Sequence, residues 1–505
     1  MPGTLGLRQA TAAAALAIAA LVAPLPASAA PPETLVIDIV NEPSSLDPHM
    51  QWNPDSYYVY RNIFDNLLTR TDEGEIAPQI ATEWTYVSDT EIAFTIRDDV
   101  TFHDGTALTP EDVVFSVERI TDPEFGSPQL GQFSSITGAE VTGDNEVTLT
   151  TETPYPALLA QLVKLSIVPK AHVEEVGTEA FNLAPVGSGP YAFDEWQRGV
   201  QVTLTRNDAY WGDTAPFAAA EFRAVPDAAT RVANLQAGQS HLVVSLDPDL
   251  ALQLQGAAGV EVRDVLTERV GYLNLNAQKP GLDDVELRRA VAMAIDKELI
   301  VEGLLGGFDA PIDSMITEVH AGYGGGVEGV PYDPEAAREI IEGLGEAADR
   351  EFSFATSPVF DQRIVQALQQ MLTDVGLDVS IEMTDMSTYL SKVRSAPADA
   401  PDMSFGRWSC ACQDADGVLY PLLDSDSSWS KTRDETFDRL LSEARNTLDE
   451  TERQELYHQV NERVAELVPF VPLYRAAILY GADANLVWQP TPNESMFLNR
   501  MDWSE

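Results

Sequence analysis

Residues 80–120 read IATEWTYVSDTEIAFTIRDDVTFHDGTALTPEDVVFSVERI, and this stretch is the most informative about the fold. Ile92–Arg97 alternates apolar and polar side chains, as a half-buried strand does. Asp104-Gly105 is a turn pair. Thr109 is a good N-cap for the helix that follows, because Pro110 and two acids occupy the first helical turn. The stretch therefore predicts a strand, a tight turn and a capped helix in succession.

Similar patterns continue on both sides of this stretch. Apolar or alternating runs predict strands at residues 34–40, 146–150 and 201–206. Helical periodicity predicts helices within residues 285–305, 334–344, 362–375 and 434–467, with Asp333 capping the second of these. Strands and helices are mixed along the whole chain. The sequence therefore predicts an α/β fold whose lobes are built from non-consecutive pieces of chain.

Residues 80–120 also resemble a segment of the extracellular solute-binding proteins of ABC importers, family 5, the dipeptide-, oligopeptide- and nickel-binding group. The matching positions are Trp84, Arg97, Phe102, His103, Asp104, Gly105, Thr109, Asp112, Val113, Phe115 and Ser116. Other segments resemble the same family in the same order, namely SLDPH at 45–49, IFDNL at 63–67, PVGSGPY at 185–191, NDAYW at 207–211, LRRA to AIDK at 287–297 and YDPEAA at 332–337.

This resemblance implies a periplasmic-binding-protein-like fold of the large cluster-C type, with two lobes, a hinge and an extra domain. Lobe I would comprise residues 30–64, 185–271 and 476–505, and residues 65–184 would form the extra domain attached to it. Lobe II would comprise residues 272–475. The family also implies a small-molecule or peptide ligand, enclosed when the lobes close, and an ABC permease as partner. We expect a monomer.

The resemblance also locates the ligand cleft. Peptide-binding members carry a W-x-x-D segment whose Asp holds the peptide ammonium, and the matching position here is Ala411. The segment that carries a carboxylate-binding Arg in dipeptide-binding members, here residues 355–358, has no base. The resemblance therefore favours a neutral or non-peptide organic ligand, with an oligopeptide or dipeptide as the alternative. The residues expected along the cleft are Trp408, Cys410, Ala411, Cys412, Asp414, Gln51, Trp52, Tyr272 and Asn274.

Cys410 and Cys412 are the two cysteines of the chain. Three states remain open for them. They can be free, partly buried thiols, they can pair in a small-ring disulfide, or they can contribute to a metal site, for which two thiols alone are poor ligands.

Motifs for catalysis are weak. The six histidines form no H-E-x-x-H pair. A G-x-G-x-x-G at Gly324, Gly326 and Gly329 is followed by Val330-Pro331, which is a loop context and not the start of a helix. We therefore expect no catalytic residues, no metal and no cofactor. A secreted hydrolase using paired carboxylates, such as Asp414 with Asp416, is the alternative from another class.

The N-terminus indicates an exported protein, and the net charge limits the partners that it can bind. Residues 12–23 are all Ala, Leu, Ile or Val, and Ala27-Ser28-Ala29 is a cleavage pattern, so residues 1–29 are predicted to be a signal peptide. No cysteine follows for a lipoprotein anchor, and we expect a soluble periplasmic or extracellular protein without membrane insertion of its own. The 80 acids and 31 bases give a net charge of -49, which argues against nucleic-acid or anionic-membrane binding.

Overall fold

The computed structural model describes residue 3 and residues 30–51, 53–410 and 412–504. The predicted signal peptide at residues 1–29 lies, apart from Gly3, outside the described residues. No helix in the described part of the chain is long and apolar enough to cross a membrane.

The strands of the described residues are β1 Thr34–Ile39, β2 Leu68–Arg70, β3 Ile76–Pro78, β4 Ala81–Ser88, β5 Glu91–Ile96, β6 Ile136–Gly143, β7 Glu146–Thr151, β8 Tyr191–Gln197, β9 Gln201–Arg206, β10 Ala219–Ala224, β11 Leu242–Val243, β12 Val260–Leu275, β13 Ala310–Pro311, β14 Glu351–Thr356, β15 Asp378–Met383, β16 Met403–Trp408, β17 Phe470–Asp483, β18 Leu486–Val487 and β19 Asp502–Trp503.

The α-helices of the same residues are α1 Pro54–Tyr60, α2 Pro110–Thr121, α3 Leu130–Phe133, α4 Leu158–Leu162, α5 Lys170–Leu183, α6 Ala228–Gln236, α7 Pro248–Leu254, α8 Val285–Met293, α9 Lys297–Leu304, α10 Pro334–Leu344, α11 Gln362–Asp374, α12 Met386–Val393, α13 Asp416–Leu423, α14 Glu435–Asn446 and α15 Glu450–Leu467. Short 3-10 turns lie at Gly345–Ala347 and Leu498–Arg500.

The local sequence predictions are confirmed with small differences. The four predicted strands form β1, β5, β7 and β9, and α2 begins at Pro110 after the cap at Thr109. The helical stretch predicted over residues 434–467 is two helices, because the Asp449 carboxylate accepts a hydrogen bond from the Glu452 N–H and starts a new helix, α15, there.

One continuous sheet runs through the molecule in the order β15-β14-β16-β12-β17-β11-β1-β10-β9-β8, and β13 pairs with β17 at the side. The long antiparallel strands β12 and β17 lie at its centre. One end of this pair adjoins β11 and β1, and the other end adjoins β16 and β14. The chain therefore passes between the two halves of the α/β structure on two adjacent strands.

The pairing of β12 with β17 is interrupted midway. Leu266 pairs with Ala477 and Val270 pairs with Arg475, so three residues of β12 lie opposite Ala476 alone. The Thr267 hydroxyl donates a 2.8 Å hydrogen bond to the Ala476 carbonyl inside this bulge. A bulge of this kind bends a strand and redirects its side chains. It lies a few residues from the predicted lobe boundaries at residues 271/272 and 475/476, which stay predictions.

The chain between β1 and β8, two strands of the large sheet, forms a separate layer. Strands β4-β5-β7-β6 make an antiparallel sheet, with α2 packed against it. Its core is apolar and includes Phe94, Val113, Phe133 and Leu149. This part of the chain therefore has its own hydrophobic core beside that of the β1–β10 half, which includes Ile37, Tyr191 and Phe222.

Asp65 explains why three of the recognised sequence segments occur together. Its fully buried carboxylate accepts hydrogen bonds from the hydroxyls of Ser188 and Tyr210, the indole N–H of Trp211 and the amide of Gln79, all between 2.8 and 3.0 Å. Burial raises the pKa of Asp65, and these hydrogen bonds oppose the rise. The segments at 63–67, 185–191 and 207–211 therefore meet at one buried acid.

Candidate ligand-binding site

The two halves of the molecule contact each other across the cleft beside the β12–β17 crossing. The Arg70 guanidinium donates a 2.5 Å hydrogen bond to the carbonyl of Cys412. The Tyr155 hydroxyl donates a 3.1 Å hydrogen bond to the Asp416 carboxylate. Arg70 and Tyr155 belong to the predicted extra domain, whereas Cys412 and Asp416 belong to predicted lobe II. The structure therefore has the cleft closed at these points.

A cavity lies at the bulge of β12. The space open to the centre of a water-sized sphere is about 70 Å³, so the closed cavity is narrow. Its lining comes from every part of the fold, namely Pro54, Tyr57 and Tyr60 of α1, Gln129 and Lys164 of the extra layer, Glu268 and Arg269 of β12, Ser409 after β16, and Asn493 and Glu494 near the C-terminus.

The bulge in β12 supplies two charged residues to this cavity. Glu268 is 2% exposed, and its Oε1 accepts a 2.5 Å hydrogen bond from the Ser409 hydroxyl. Its other oxygen, Oε2, is buried and has no hydrogen-bond partner among the described residues. A buried carboxylate oxygen without a donor is costly, and such exceptions are rare in folded proteins. Glu268 is thus the most unusual polar group of the cavity.

The neighbouring Arg269 has a partner. Its guanidinium donates a 2.8 Å hydrogen bond to the Glu494 carboxylate. Burial raises the pKa of Glu494, and Arg269 opposes that rise. Glu494 also has a φ of 58°, in the left-handed region that residues other than glycine rarely adopt. Such backbone strain is found most often at functional sites.

A fourth charged group, Lys164, also lines the cavity. Its ammonium donates a 3.2 Å hydrogen bond to the Gln132 side chain. Burial lowers the pKa of Lys164 to about 8, and the nearby Glu268 carboxylate opposes that change. The cavity therefore combines acids, bases and two tyrosine rings.

Trp408 was predicted to form a wall of the cleft. It ends β16 and is half-buried, with its indole N–H donating a 3.1 Å hydrogen bond to the Gly417 carbonyl. Its ring meets Trp429 edge to face at 5.2 Å. Trp408 is not among the lining residues of the cavity, although the next residue, Ser409, is.

Cys410 and Cys412 form a disulfide, which selects one of the three states that the sequence left open. Gly417 is required beside it, because a Cβ at this position would lie 2.3 Å from the Cys410 Sγ and 2.8 Å from the Cys412 Sγ. The disulfide therefore holds the segment after Ser409 against the start of α13.

Asp414 lies behind the cavity wall. It is 1% exposed, and both carboxylate oxygens accept hydrogen bonds from the Arg453 guanidinium, at 2.6 and 3.0 Å. Its position and pairing indicate a structural ion pair, while its predicted role in ligand contact stays a prediction.

The remaining predicted residues are spread around the cleft. The Gln51 carbonyl accepts a 3.3 Å hydrogen bond from Gln129, a lining residue. Tyr272 is 6% exposed and packs edge to face on Phe470 in the core. Asn274 borders a separate crevice too narrow for water. Trp52 and Ala411 lie outside the described residues.

Sequence reasoning missed Glu268, Arg269 and Glu494. One signal for the first two existed: Glu268-Arg269 is the second pair of adjacent opposite charges in the strand-like run from Val260 to Leu275, after Arg263-Asp264. Two neighbouring charges cannot both face solvent in a regular strand, since successive side chains alternate faces. No comparable local signal marks Glu494, which reaches the cavity from the C-terminal segment.

The architecture is that of a two-lobed solute receptor, and comparisons with known proteins agree. The ABC transporter-associated periplasmic binding protein DppA of Helicobacter pylori, solved in complex with the peptide STSA, superposes with a TM-score of 0.77 at 24% identity, covering 94% of this chain and 98% of DppA. The ABC transporter substrate-binding protein CtaP of Listeria monocytogenes gives a TM-score of 0.85 at 24% identity, covering 94% and 99%.

The sequence itself defines the family. The model of bacterial extracellular solute-binding proteins, family 5 Middle, matches residues 75–430. The glutathione-binding protein GsiB of Shigella boydii serotype 4 (strain Sb227) is 25% identical over 468 residues, covering 90% of this chain and 91% of GsiB. This chain therefore belongs to the bacterial extracellular solute-binding proteins, family 5, and is a substrate-binding protein of an ABC importer.

Proposed function

We propose that this protein captures a small organic solute in the cavity between its lobes, closes around it and presents it to the permease of an ABC importer. The observation that carries this proposal is the composition of the cavity wall, to which both halves of the fold and the β12 crossing contribute. A ligand that touches all of these parts stabilises the closed form, because it gains its full set of contacts there.

The proposal extends to location and state. The family is one of extracellular proteins, which supports export of this chain as a soluble monomer to the periplasm or the cell exterior. The same match favours a receptor over the hydrolase that the sequence left as an alternative. The disulfide is compatible with an oxidising compartment.

The relatives support a ligand of the peptide class more than the sequence did. GsiB is named for glutathione, and DppA was solved with a peptide. The sequence favoured a neutral or non-peptide solute because two peptide anchors of the family are missing. The charged groups of the cavity weaken that argument, since anchors for a charged ligand lie at other positions of this chain.

A direct test uses the purified protein and the small-molecule filtrate of yeast extract. Binding to the folded state raises the melting temperature by mass action. Mass spectrometry of the solute released from the washed complex identifies the ligand, and small-angle scattering with and without it measures closure. Absence of any stabilisation, or a bound solute that leaves the scattering unchanged, contradicts capture by closure.

A further inference from the structure

We infer that the Glu268 carboxylate is the anchor for a protonated primary or secondary amine of the ligand. This inference rests on the proposed function and adds the chemical class of the solute. Its starting point is Oε2 of Glu268, which is buried in the cavity wall and accepts no hydrogen bond from the described residues.

The position of this carboxylate is set by the fold and not by a flexible loop. Three residues of β12 bulge out opposite Ala476, and Glu268 is the middle one. The Ser409 hydroxyl holds Oε1 from predicted lobe II, so one oxygen is fixed while the other stays open. Because Oε1 is already held, the carboxylate group has a fixed orientation before the ligand arrives. Less side-chain entropy is therefore lost when a ligand binds to Oε2.

The nearby cations do not satisfy Oε2. Arg269 donates to Glu494 at 2.8 Å. Arg70 donates to the carbonyls of Gly74 and Cys412, each at 2.5 Å. These two guanidinium groups therefore hold other acceptors. Lys164, the third cation near Glu268, donates a 3.2 Å hydrogen bond to Gln132. None of the three donates to Oε2, which is therefore open to a hydrogen-bond donor that the ligand brings.

The surroundings of Oε2 favour a cationic donor over an anionic ligand. The cavity wall holds the acids Glu268 and Glu494 and the bases Arg269 and Lys164. Arg269 donates to Glu494 and Lys164 donates to Gln132. A ligand group at Oε2 therefore meets a carboxylate oxygen without a donor among the described residues, which attracts a cation and repels an anion. Tyr57 and Tyr60 form part of the same wall, with ring centroids 5.7 Å apart and planes at 89°. Aromatic faces beside a carboxylate attract an ammonium group, and a charged hydrogen bond to carboxylate is among the stronger polar contacts.

The ammonium group can belong to a free amine or to the amino terminus of a peptide. Both present an ammonium group, and both lose it when the nitrogen is acetylated. The narrow cavity takes either a small amine or the amino end of a longer ligand. The two sources differ in the remainder of the molecule, which identification of the bound solute distinguishes.

The experiment measures the melting temperature of the full protein with yeast-extract filtrate, before and after chemical acetylation of the amines in the filtrate. The inference predicts a rise with the intact filtrate that is lost after acetylation. An equal rise with both filtrates overturns the inference while the proposed function stands. No rise with either overturns both. Mass spectrometry of the solute released from the intact filtrate then separates a free amine from a peptide.

Variants test the named residue with the solute identified in this way. Glu268→Gln keeps the shape of the side chain and removes its charge, so the affinity should fall by roughly tenfold or more. Glu261→Gln is the matched control, because Glu261 lies on the same strand, is exposed and does not line the cavity, so its affinity should equal that of the wild type. Unchanged affinity of Glu268→Gln overturns the assignment.

A third variant distinguishes a loss of affinity caused by misfolding from one caused by removal of the carboxylate charge. Glu268→Asp keeps the charge and withdraws it from the cavity, so it should bind more weakly than wild type and more tightly than Glu268→Gln. Circular dichroism and the melting temperature without ligand report the fold of each variant. If the two variants lose affinity equally, the carboxylate charge is not what holds the ligand.

Discussion

Asp414 and Arg453 form a fully buried, two-point ion pair that fastens the segment after β16 to helix α15. Each side chain is 1% exposed, and the two hydrogen bonds measure 2.6 and 3.0 Å. The coulombic attraction of Asp414 raises the pKa of Arg453 against the effect of burial. The pair thus stabilises the position of the segment that carries the disulfide, because Asp414 lies just after Cys412.

Breaking this pair should destabilise the protein strongly. Replacing Arg453 with Met leaves the Asp414 charge buried without a partner, which typically costs about 3–5 kcal/mol of unfolding free energy. Denaturant unfolding measures the change. Arg439→Ala is the control, since Arg439 and Glu443 form an exposed pair on α14 whose loss should cost less than about 1 kcal/mol. Equal effects of the two substitutions would contradict the structural role of the buried pair.

Gly187 should not tolerate a side chain. A Cβ at this position would lie 2.1 Å from the Ile63 carbonyl oxygen, where the chain re-enters the β1–β10 half. Gly187→Ala should therefore cost about 1–3 kcal/mol through overpacking. Gly343→Ala is the control, because Gly343 lies in α10 with no atom within 4 Å of its Cβ position. That variant should be neutral or slightly more stable by urea unfolding.

Asp416 should make stability depend on pH in mildly acidic solution. Burial raises its pKa from 3.8 to about 6, so the folded protein binds the proton more tightly than the unfolded chain does. The stabilisation from this proton is fully present below about pH 4 and is lost as the pH rises through about 6.

Comparison with Asp416→Asn isolates this group, because Asp309, whose pKa burial also raises to about 6, contributes equally to both proteins. The unfolding free energy of the wild type should fall relative to the variant between about pH 4 and pH 6. A constant difference over that range would show that Asp416 has an ordinary pKa.

Tyr155 should favour the closed cleft. Its hydroxyl donates the hydrogen bond to Asp416 that joins the two halves. Tyr155→Phe removes only that hydroxyl and shifts the equilibrium between the open and closed forms toward the open form. The ligand-free variant should therefore have a larger radius of gyration by small-angle scattering than the ligand-free wild type. Tyr332→Phe serves as the control, because Tyr332 is exposed and lies outside the cavity lining. An unchanged radius in Tyr155→Phe means that this bond does not hold the cleft.

The disulfide predicts the behaviour of the two cysteines. Without a reductant, neither the folded nor the unfolded protein should react with a maleimide reagent. After unfolding and reduction, each molecule should take up two maleimide groups. Mass spectrometry counts the added groups. Labelling without a reductant would show that the thiols are free.

The local elements and the family follow from the amino-acid sequence alone. Strands such as Ile92–Arg97 and the capped helix at Thr109–Pro110 follow from alternation and capping, which are properties of neighbouring residues. The family segments are equally local, because each fulfils a turn, a cap or a close approach. The positions at which helices end follow less directly from the sequence. The break at Asp449, for example, depends on one hydrogen bond within a long periodic stretch.

The set of side chains that meet in the cavity depends on contacts between distant parts of the chain. Asp414 was predicted to contact ligand, yet its partner Arg453 lies 39 residues away and no local pattern announces the pair. Glu268 reaches the cavity because β12 bulges against β17, a strand some 200 residues later in the chain. Local sequence fixes hydrogen-bonding partners over a few residues, whereas long-range burial and strand register decide which charges are left without one.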